Sequence, residues 1–201
     1  APVPATSVSE FTSEAALADL GFVYPAGHRG WNLKSNEFGR LMTPADAPAH
    51  GEWNKAGGNG TYRCLFRLLG ANLAPSPDRR FCFGARVRVE GQDFHGTRID
   101  LYADNGPKIA ISDYTASGMA THAVAIADSG WQHGMWYWLD VSVAGARVRA
   151  RVYPEGSAAP NWQITGMTAA KGAGAFGPGG LPGLGASPVI DIKRLEFQPP
   201  A

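Results

Sequence analysis

Residues 131–154, WQHGMWYWLDVSVAGARVRARVYP, constrain the fold more than any other stretch of the chain. Tyr137, Leu139, Val141 and Val143 are apolar at a spacing of two, and Trp136, Trp138, Asp140 and Ser142 fill the alternate positions. That is the pattern of a strand with one buried face. The alternation resumes after Ala144-Gly145, with Val148, Ala150 and Val152 on one face and Arg147, Arg149, Arg151 and Tyr153 on the other. A two-residue loop at Ala144-Gly145 predicts Val143 opposite Ala146, Val141 opposite Val148, Leu139 opposite Ala150 and Tyr137 opposite Val152. The same register sets Asp140 opposite Arg149, Trp138 opposite Arg151 and Trp136 opposite Tyr153. Each such pair contributes about 0.2–1 kcal/mol. A long antiparallel hairpin is therefore predicted here.

The rest of the chain agrees with a β-rich reading. It holds 26 Gly and 15 Pro among 201 residues, with six Trp, six Tyr and nine Phe, a composition of many strands joined by tight turns. This length suits one undivided sandwich or barrel. A formal net charge of +1 with 17% charged residues gives no excess of positive charge for phosphate, so nucleic acid is not an expected partner. Acidic glycans remain open as partners of a local basic patch. No apolar run approaches the roughly 18 residues of a membrane span. The start, APVPATSVSE, lacks the basic-then-apolar profile of a signal peptide.

Taken in order, residues 1–10 are predicted to be an N-terminal arm or a first strand, and residues 11–201 a single domain. Ser13 to Gly21 reads as a short capped helical turn that stops at Gly21. Short strands are expected at Trp31–Leu33 and Phe38–Met42, followed by a long Pro/Gly/Ala loop over residues 43–60 that carries Trp53. Tyr62 to Leu69 is apolar on both faces apart from Arg63 and Arg67. Phe81, Phe83, Ala85, Val87 and Val89 mark a second long strand. A three-residue Asp104-Asn105-Gly106 turn would pair Leu101 with Ile109 and Ile99 with Ile111, with Gly106 left-handed. Val124 and Ile126 suggest a strand within 119–127, and Trp162 and Ile164 a short one. Residues 171–187 could be a loop, a subunit contact or a bulged strand. At the C-terminus, Ile190 and Ile192 have one parity and Leu195 and Phe197 the other, which requires a bulge near Lys193-Arg194.

Cys64 and Cys82 lie in predicted strands without CxxC spacing and read as buried free thiols, with one cross-strand disulfide as the alternative. His28, His50, His95, His122 and His133 show no HxH or HExxH spacing, so no catalytic metal is expected. Asp100 and Asp140, each beside or opposite an arginine, read as structural ion pairs. Asp104-Asn105-Gly106 lacks the further alternate oxygen ligands of a calcium loop.

Taken together, FTSEAALADLGF, the W-Y-W-L-x-V-x-V-x-G-x-x-V-x-A-R-V-Y-P hairpin, Pro160-x-Trp162, the Gly-rich stretch and the closing I-D-I-K-R-L-E-F resemble the concanavalin A-like, laminin-G-like jelly-roll superfamily. The likeness extends to its lectin-like domains from phage and other virions. The resemblance implies an all-β, antiparallel two-sheet jelly-roll sandwich with one short N-terminal helical turn, and one sheet with a concave outer surface. It also leaves calcium open, because superfamily members often carry it. The E-x-D-x-x-E arrangement of the superfamily's glycan hydrolases is missing, since Glu90-Gly91-Gln92-Asp93 has the wrong spacing. The lyase-type R-x-E-x-R, Q-x-H and Y-x-K combinations are missing as well. Function varies too widely across this fold for the resemblance alone to fix it.

Trp136, Trp138, Arg149, Arg151 and Tyr153 form the candidate carbohydrate-binding surface. Aromatic faces stack on sugar rings, and arginine forks bind hydroxyls or carboxylates. The reading that results is a non-enzymatic carbohydrate-binding or attachment module of a phage-like virion or secreted assembly, with a virion or extracellular location. Its partners would be a glycan or cell-surface polysaccharide and other assembly subunits, and a homo-oligomer is admitted. One alternative is a purely structural virion protein whose aromatic face is a subunit interface. Another is a divergent glycan hydrolase or lyase around His95, Arg98, Asp100 and Tyr102.

Overall fold

The computed structural model describes residues 6–11, 19–23, 31–34, 38–42, 49–50, 52–54, 58–69, 80–90, 93–102, 108–115, 118–126, 132, 134–169, 175–180 and 189–200. In chain order its strands are β1 (Ser7–Glu10), β2 (Phe22–Val23), β3 (Trp31–Lys34), β4 (Phe38–Met42), β5 (Ala49–His50), β6 (Glu52–Trp53), β7 (Gly60–Leu69) and β8 (Arg80–Glu90). They continue with β9 (Asp93–Tyr102), β10 (Lys108–Thr115), β11 (Gly118–Ile126), β12 (Trp136–Ala144), β13 (Arg147–Pro154), β14 (Ile164–Met167), β15 (Ala175–Gly180) and β16 (Val189–Gln198). No helix occurs among the described residues. The expected helical turn falls mostly on residues 12–18, outside them, while Asp19 to Gly21 form a turn in which Gly21 takes φ 83°.

Two antiparallel sheets make the sandwich. The first runs β14-β13-β12-β7-β16-β4-β3, with β1 also on β16; the second runs β11-β10-β9-β8-β15-β6-β2, with β5 also on β15. Alternate residues of both sheets meet in one core, in which Tyr62, Phe66, Leu139, Val141, Ile190 and Ile192 of the first face Phe83, Ile99, Leu101, Ile109, Ile111 and Phe176 of the second. Cys64 and Cys82 are buried free thiols.

The central hairpin forms with the expected buried face and a different register. Ala144 pairs with Arg147, Val143 with Val148, Val141 with Ala150 and Leu139 with Val152, so the loop is Gly145-Ala146 and not Ala144-Gly145. Gly145 at φ 58° supplies the left-handed first position of a two-residue turn, and its N–H donates to Asn59 Oδ1 at 3.0 Å. Because each partner moves by two residues, every side chain keeps its face while every cross-strand pair changes. Asp140 now lies opposite Arg151 rather than Arg149, and Trp138 opposite Tyr153 rather than Arg151.

The bulge expected in the last strand is present. Opposite β7, Ile192 pairs with Phe66 and Arg194 with Leu65, leaving Lys193 as the extra residue. The parity switch lets Ile190, Ile192, Leu195 and Phe197 all enter the core. It also divides the far edge of β16, where residues before the bulge pair with β4 and residues after it with β1. The Lys193 carbonyl accepts from the Phe11 N–H at 2.9 Å, holding the chain as it leaves β1.

In the second sheet Leu101 pairs with Ile109 and Ile99 with Ile111, as expected, while the connecting residues 103–107 lie outside those described. The expected β11 strand is present, and a bulge at His122 reverses its parity, so Ala123 and Ala125 pack on the core and Val124 is exposed. The stretch 43–60 is not all loop: β5 and β6 join the second sheet, and Trp53 is fully buried with its indole N–H at 3.0 Å from Ser9 Oγ and 3.1 Å from the Leu20 carbonyl. Residues 175–180 of the Gly-rich stretch are a bulged strand, β15, on β8.

Candidate functional site

Outward-facing residues of the first sheet line up in three rows across its strands. One row runs Arg151, Asp140, Arg63, Glu196. The next runs Tyr153, Trp138, Leu65, Arg194, Glu10. The third runs Trp136, Arg67, Asp191, Arg40. The middle row, uncharged from Tyr153 to Leu65 and closed by the Arg194–Glu10 pair, is thus flanked by two rows of alternating charge.

The flanking rows are closed ion-pair networks. Asp140, buried, accepts from Arg63 Nε at 3.0 Å, from Arg151 Nε at 2.8 Å and from the Tyr153 hydroxyl at 3.2 Å. Arg63 also reaches Glu196 at 2.8 Å and the Tyr153 oxygen at 3.1 Å. Burial alone would lower the Arg63 pKa, but its bonds to Tyr153 and Asp140 outweigh that and hold the guanidinium above its ordinary value. In the third row Asp191, also buried, takes Arg40 through two bonds of 2.6 and 2.9 Å and Arg67 through one of 2.8 Å. The Asp191 bond raises the Arg40 pKa. Such two-point carboxylate bonds fix the geometry of the planar guanidinium.

The guanidinium groups in turn cover the aromatic rings. Arg63 lies 4.3 Å from the Trp138 ring centroid, and Arg67 lies 4.8 Å from that of Trp136 and 4.7 Å from that of Phe38. Trp162, on the segment after β13, is flanked by Arg149 at 4.8 Å and Arg151 at 4.6 Å. Arg151 Nη1 also donates to the Pro160 carbonyl at 2.7 Å, which ties that segment to the sheet. Cation–π contacts of this kind contribute about 0.5–1 kcal/mol where exposed.

Beside the bulge there is a cleft of about 380 Å³, lined by Glu10, Leu65, Trp138, Glu155, Lys193, Arg194 and Glu196. Leu65 is a nearly buried apolar residue on the outward face, and Trp138 beside it is half-buried. Arg194 bonds Glu196 at 2.6 Å and pairs with Glu10. Lys193 Nζ lies 3.9 Å from Glu155 Oε1 and 5.8 Å from the Trp136 ring centroid. This volume falls within the roughly 300–1,000 Å³ of small-molecule sites.

No protein-family model matches the chain, and no curated protein sequence matches it. Solved structures do. The carbohydrate-binding module CBM66 from Bacillus subtilis superposes at a TM-score of 0.59 with 12% identity, over 87% of this chain and 94% of that one. The mannose- and calcium-bound VIP36 exoplasmic/lumenal domain superposes at 0.65 with 16% identity, over 94% and 88%. The chain shares their fold, an antiparallel two-sheet β-sandwich. The GH43 protein BlXynB from Bacillus licheniformis matches at 0.64 with 14% identity, over 95% of this chain but 39% of that one, so the chain spans well under half the length of BlXynB.

Among the described residues of the sandwich, no group of three or more His, Cys, Asp or Glu side chains is arranged to hold a metal ion. Asp140, Asp191 and Glu196 are taken up by guanidinium groups, which does not fit the donor set of a hard cation. Residues 104–106 lie outside those described. No described helix is long and apolar enough to cross a membrane.

The five residues singled out from the sequence all lie on this face, in unequal positions. Trp138 borders the cleft, and Trp136 stands next to it beneath Arg67 and Lys193. Arg149 and Arg151 brace Trp162. Tyr153 is 5% exposed, its hydroxyl committed to Asp140 and Arg63, so it supports the surface from below. Arg63, Leu65, Glu155, Lys193, Arg194 and Glu196 were not legible as site residues, because only the pairing of β7, β12 and β16 brings them together. The unpaired parity around Lys193 was the one available signal. Of the alternative cluster, Arg98 and Asp100 are buried at 2% and 0% exposure, and the side chains of His95 and Tyr102 lie outside those described.

Proposed function

We propose that this protein is a non-catalytic carbohydrate-binding module whose site is the outward face of the first sheet, centred on Trp138 and Leu65. One observation carries the reading. An apolar floor opens into a cleft whose rim is made of carboxylates, an ammonium and a guanidinium, the combination that stacks one face of a sugar and bonds its hydroxyls. The fold supports it, since the CBM66 module and the mannose-bound VIP36 domain are built on the same sandwich. Trp136 borders that floor, Arg151 and Tyr153 brace it through Asp140 and Arg63, and Arg149 acts at one remove by bracing Trp162.

Binding is favoured over catalysis by the state of the cleft carboxylates. Glu196 is held by Arg63 and Arg194, and Glu10 pairs with Arg194, so neither is placed as a proton donor or as a free base, and Glu155, beside Lys193, has no free second carboxylate in the cleft to act with it. A virion or secreted assembly is the setting suggested by the sequence, and the comparisons add nothing to it. The test is a glycan array probed with wild-type protein and Trp138→Ala. Binding lost in the variant at unchanged folding supports the module. Product release from a polysaccharide panel by the wild type would overturn the non-catalytic reading.

A further inference from the structure

Building on the glycan-binding reading, we infer that the cleft selects an uncharged sugar, and that Glu155 and Lys193 are the pair that reads its hydroxyls. Consider first what an acidic sugar would need. Its carboxylate is best held by a guanidinium fork with donors to spare, but each arginine in the three rows around the cleft is engaged. Arg63 and Arg151 bond Asp140, Arg67 and Arg40 bond Asp191, and Arg194 bonds Glu196 and Glu10. Releasing one would take away one of the two guanidinium groups that neutralise Asp140, Asp191 or Glu196. The lining itself carries three carboxylates, Glu10, Glu155 and Glu196, against two cations, Lys193 and Arg194. The lining thus offers an incoming anion no unpaired guanidinium and no surplus of positive charge.

Glu155 and Lys193 differ from the other charges of the cleft. Glu10 is as open, at 48% exposure, but is paired closely with Arg194, whereas Glu155 and Lys193, 41% and 43% exposed at the side chain, stand 3.9 Å apart, the longest of the ion pairs on this face. Glu155 follows β13 with its N–H bonded to the Trp136 carbonyl at 2.9 Å, and Lys193 is the extra residue of the β16 bulge. Both backbones are thus fixed while the charged ends remain open. A carboxylate and an ammonium side by side accept from one hydroxyl and donate to its neighbour, which suits vicinal hydroxyls on a ring stacked at Trp138. Neither ion loses its counter-charge when such a neutral ligand enters.

Isothermal titration of the intact protein with neutral manno-, gluco-, xylo- and fructo-oligosaccharides, and with oligogalacturonate and sialylated oligosaccharides as the acidic set, tests this. At least one neutral series is expected to bind and the acidic set to bind at least about tenfold more weakly. Glu155→Gln and Lys193→Met are each expected to weaken the neutral ligand by about tenfold, the loss of a hydrogen bond to a charged group, with melting temperature unchanged. The double variant should lose less than the product of the two. Acidic sugars that bind as well as neutral ones and depend on Trp138 would overturn the selectivity while leaving the glycan-binding reading intact. Neutral binding unaffected by either substitution would overturn the assignment of the pair. Failure of both sets to bind would overturn the reading itself.

Discussion

The outward faces of the two sheets use the same residue types to opposite effect. On the second sheet Arg98, Asp100 and Tyr114 form a cluster in which the Arg98 guanidinium carbon lies 3.1 Å from the Tyr114 ring centroid and the Tyr114 hydroxyl donates to Asp100 at 3.2 Å. Arg98 and Asp100 are buried there, packed beside Cys82, Gly84, Ala110 and Ser112. On the first sheet Asp140 and Asp191 are equally buried, but their arginines reach the surface and open beside a cleft. A sequence that places Asp beside Arg and an aromatic ring on alternate strand positions does not distinguish the two. Access does, and on the first sheet the cleft lies beside Lys193, the extra residue in β16.

The difference can be tested by separating stability from binding. The largest effect on folding is expected from Asp100→Ala. Deleting one partner of a fully buried pair costs about 4 kcal/mol in urea unfolding, and glycan affinity of the folded protein should not change. Asp140→Ala is expected to cost about 3 kcal/mol, at the low end of the range for buried pairs, because Arg63 and Arg151 are 35% and 23% exposed and can hydrate. It should also weaken glycan binding, since Arg63 would no longer be held over Trp138. Trp138→Ala reverses the balance, with a stability loss of about 1–2 kcal/mol for a half-buried ring and loss of glycan binding on the array.

The smallest effect belongs to neither face. Burial raises the Cys64 thiol well above its ordinary pKa of 9.0, so the fold keeps it neutral. That contribution is fully present below pH 9 and is lost as pH rises, because the unfolded chain ionises first. Stability should fall by about 1 kcal/mol between pH 9 and 10, and Cys64→Ala should flatten the slope. An unchanged slope in the variant would assign the alkaline loss elsewhere.

Periodicity made the faces of the strands legible before the structure, but not their neighbours. Val141, Leu139 and Val148 were placed inward correctly even though the turn lies one residue later than expected, because a two-residue change of partner preserves parity. The bulge at Lys193 was readable from the switch between Ile192 and Leu195, whereas the one at His122 was masked by small residues, since Ala123 and Ala125 compete weakly with Val124 as core markers. Trp53 was hidden for a related reason: a lone aromatic among glycines and alanines has no period. The pairing of Arg63 with Asp140 and Glu196 spans separations of 77 and 133 residues, and such contacts leave no local trace.

The most direct test of the glycan site is a heteronuclear NMR titration of the protein with the oligosaccharide it binds best. Shifts concentrated at the Trp138 indole and at the amides of Leu65, Glu155, Lys193 and Arg194 are the expected result. Shifts confined to the second sheet, or to loops away from β7, β12 and β16, would contradict it.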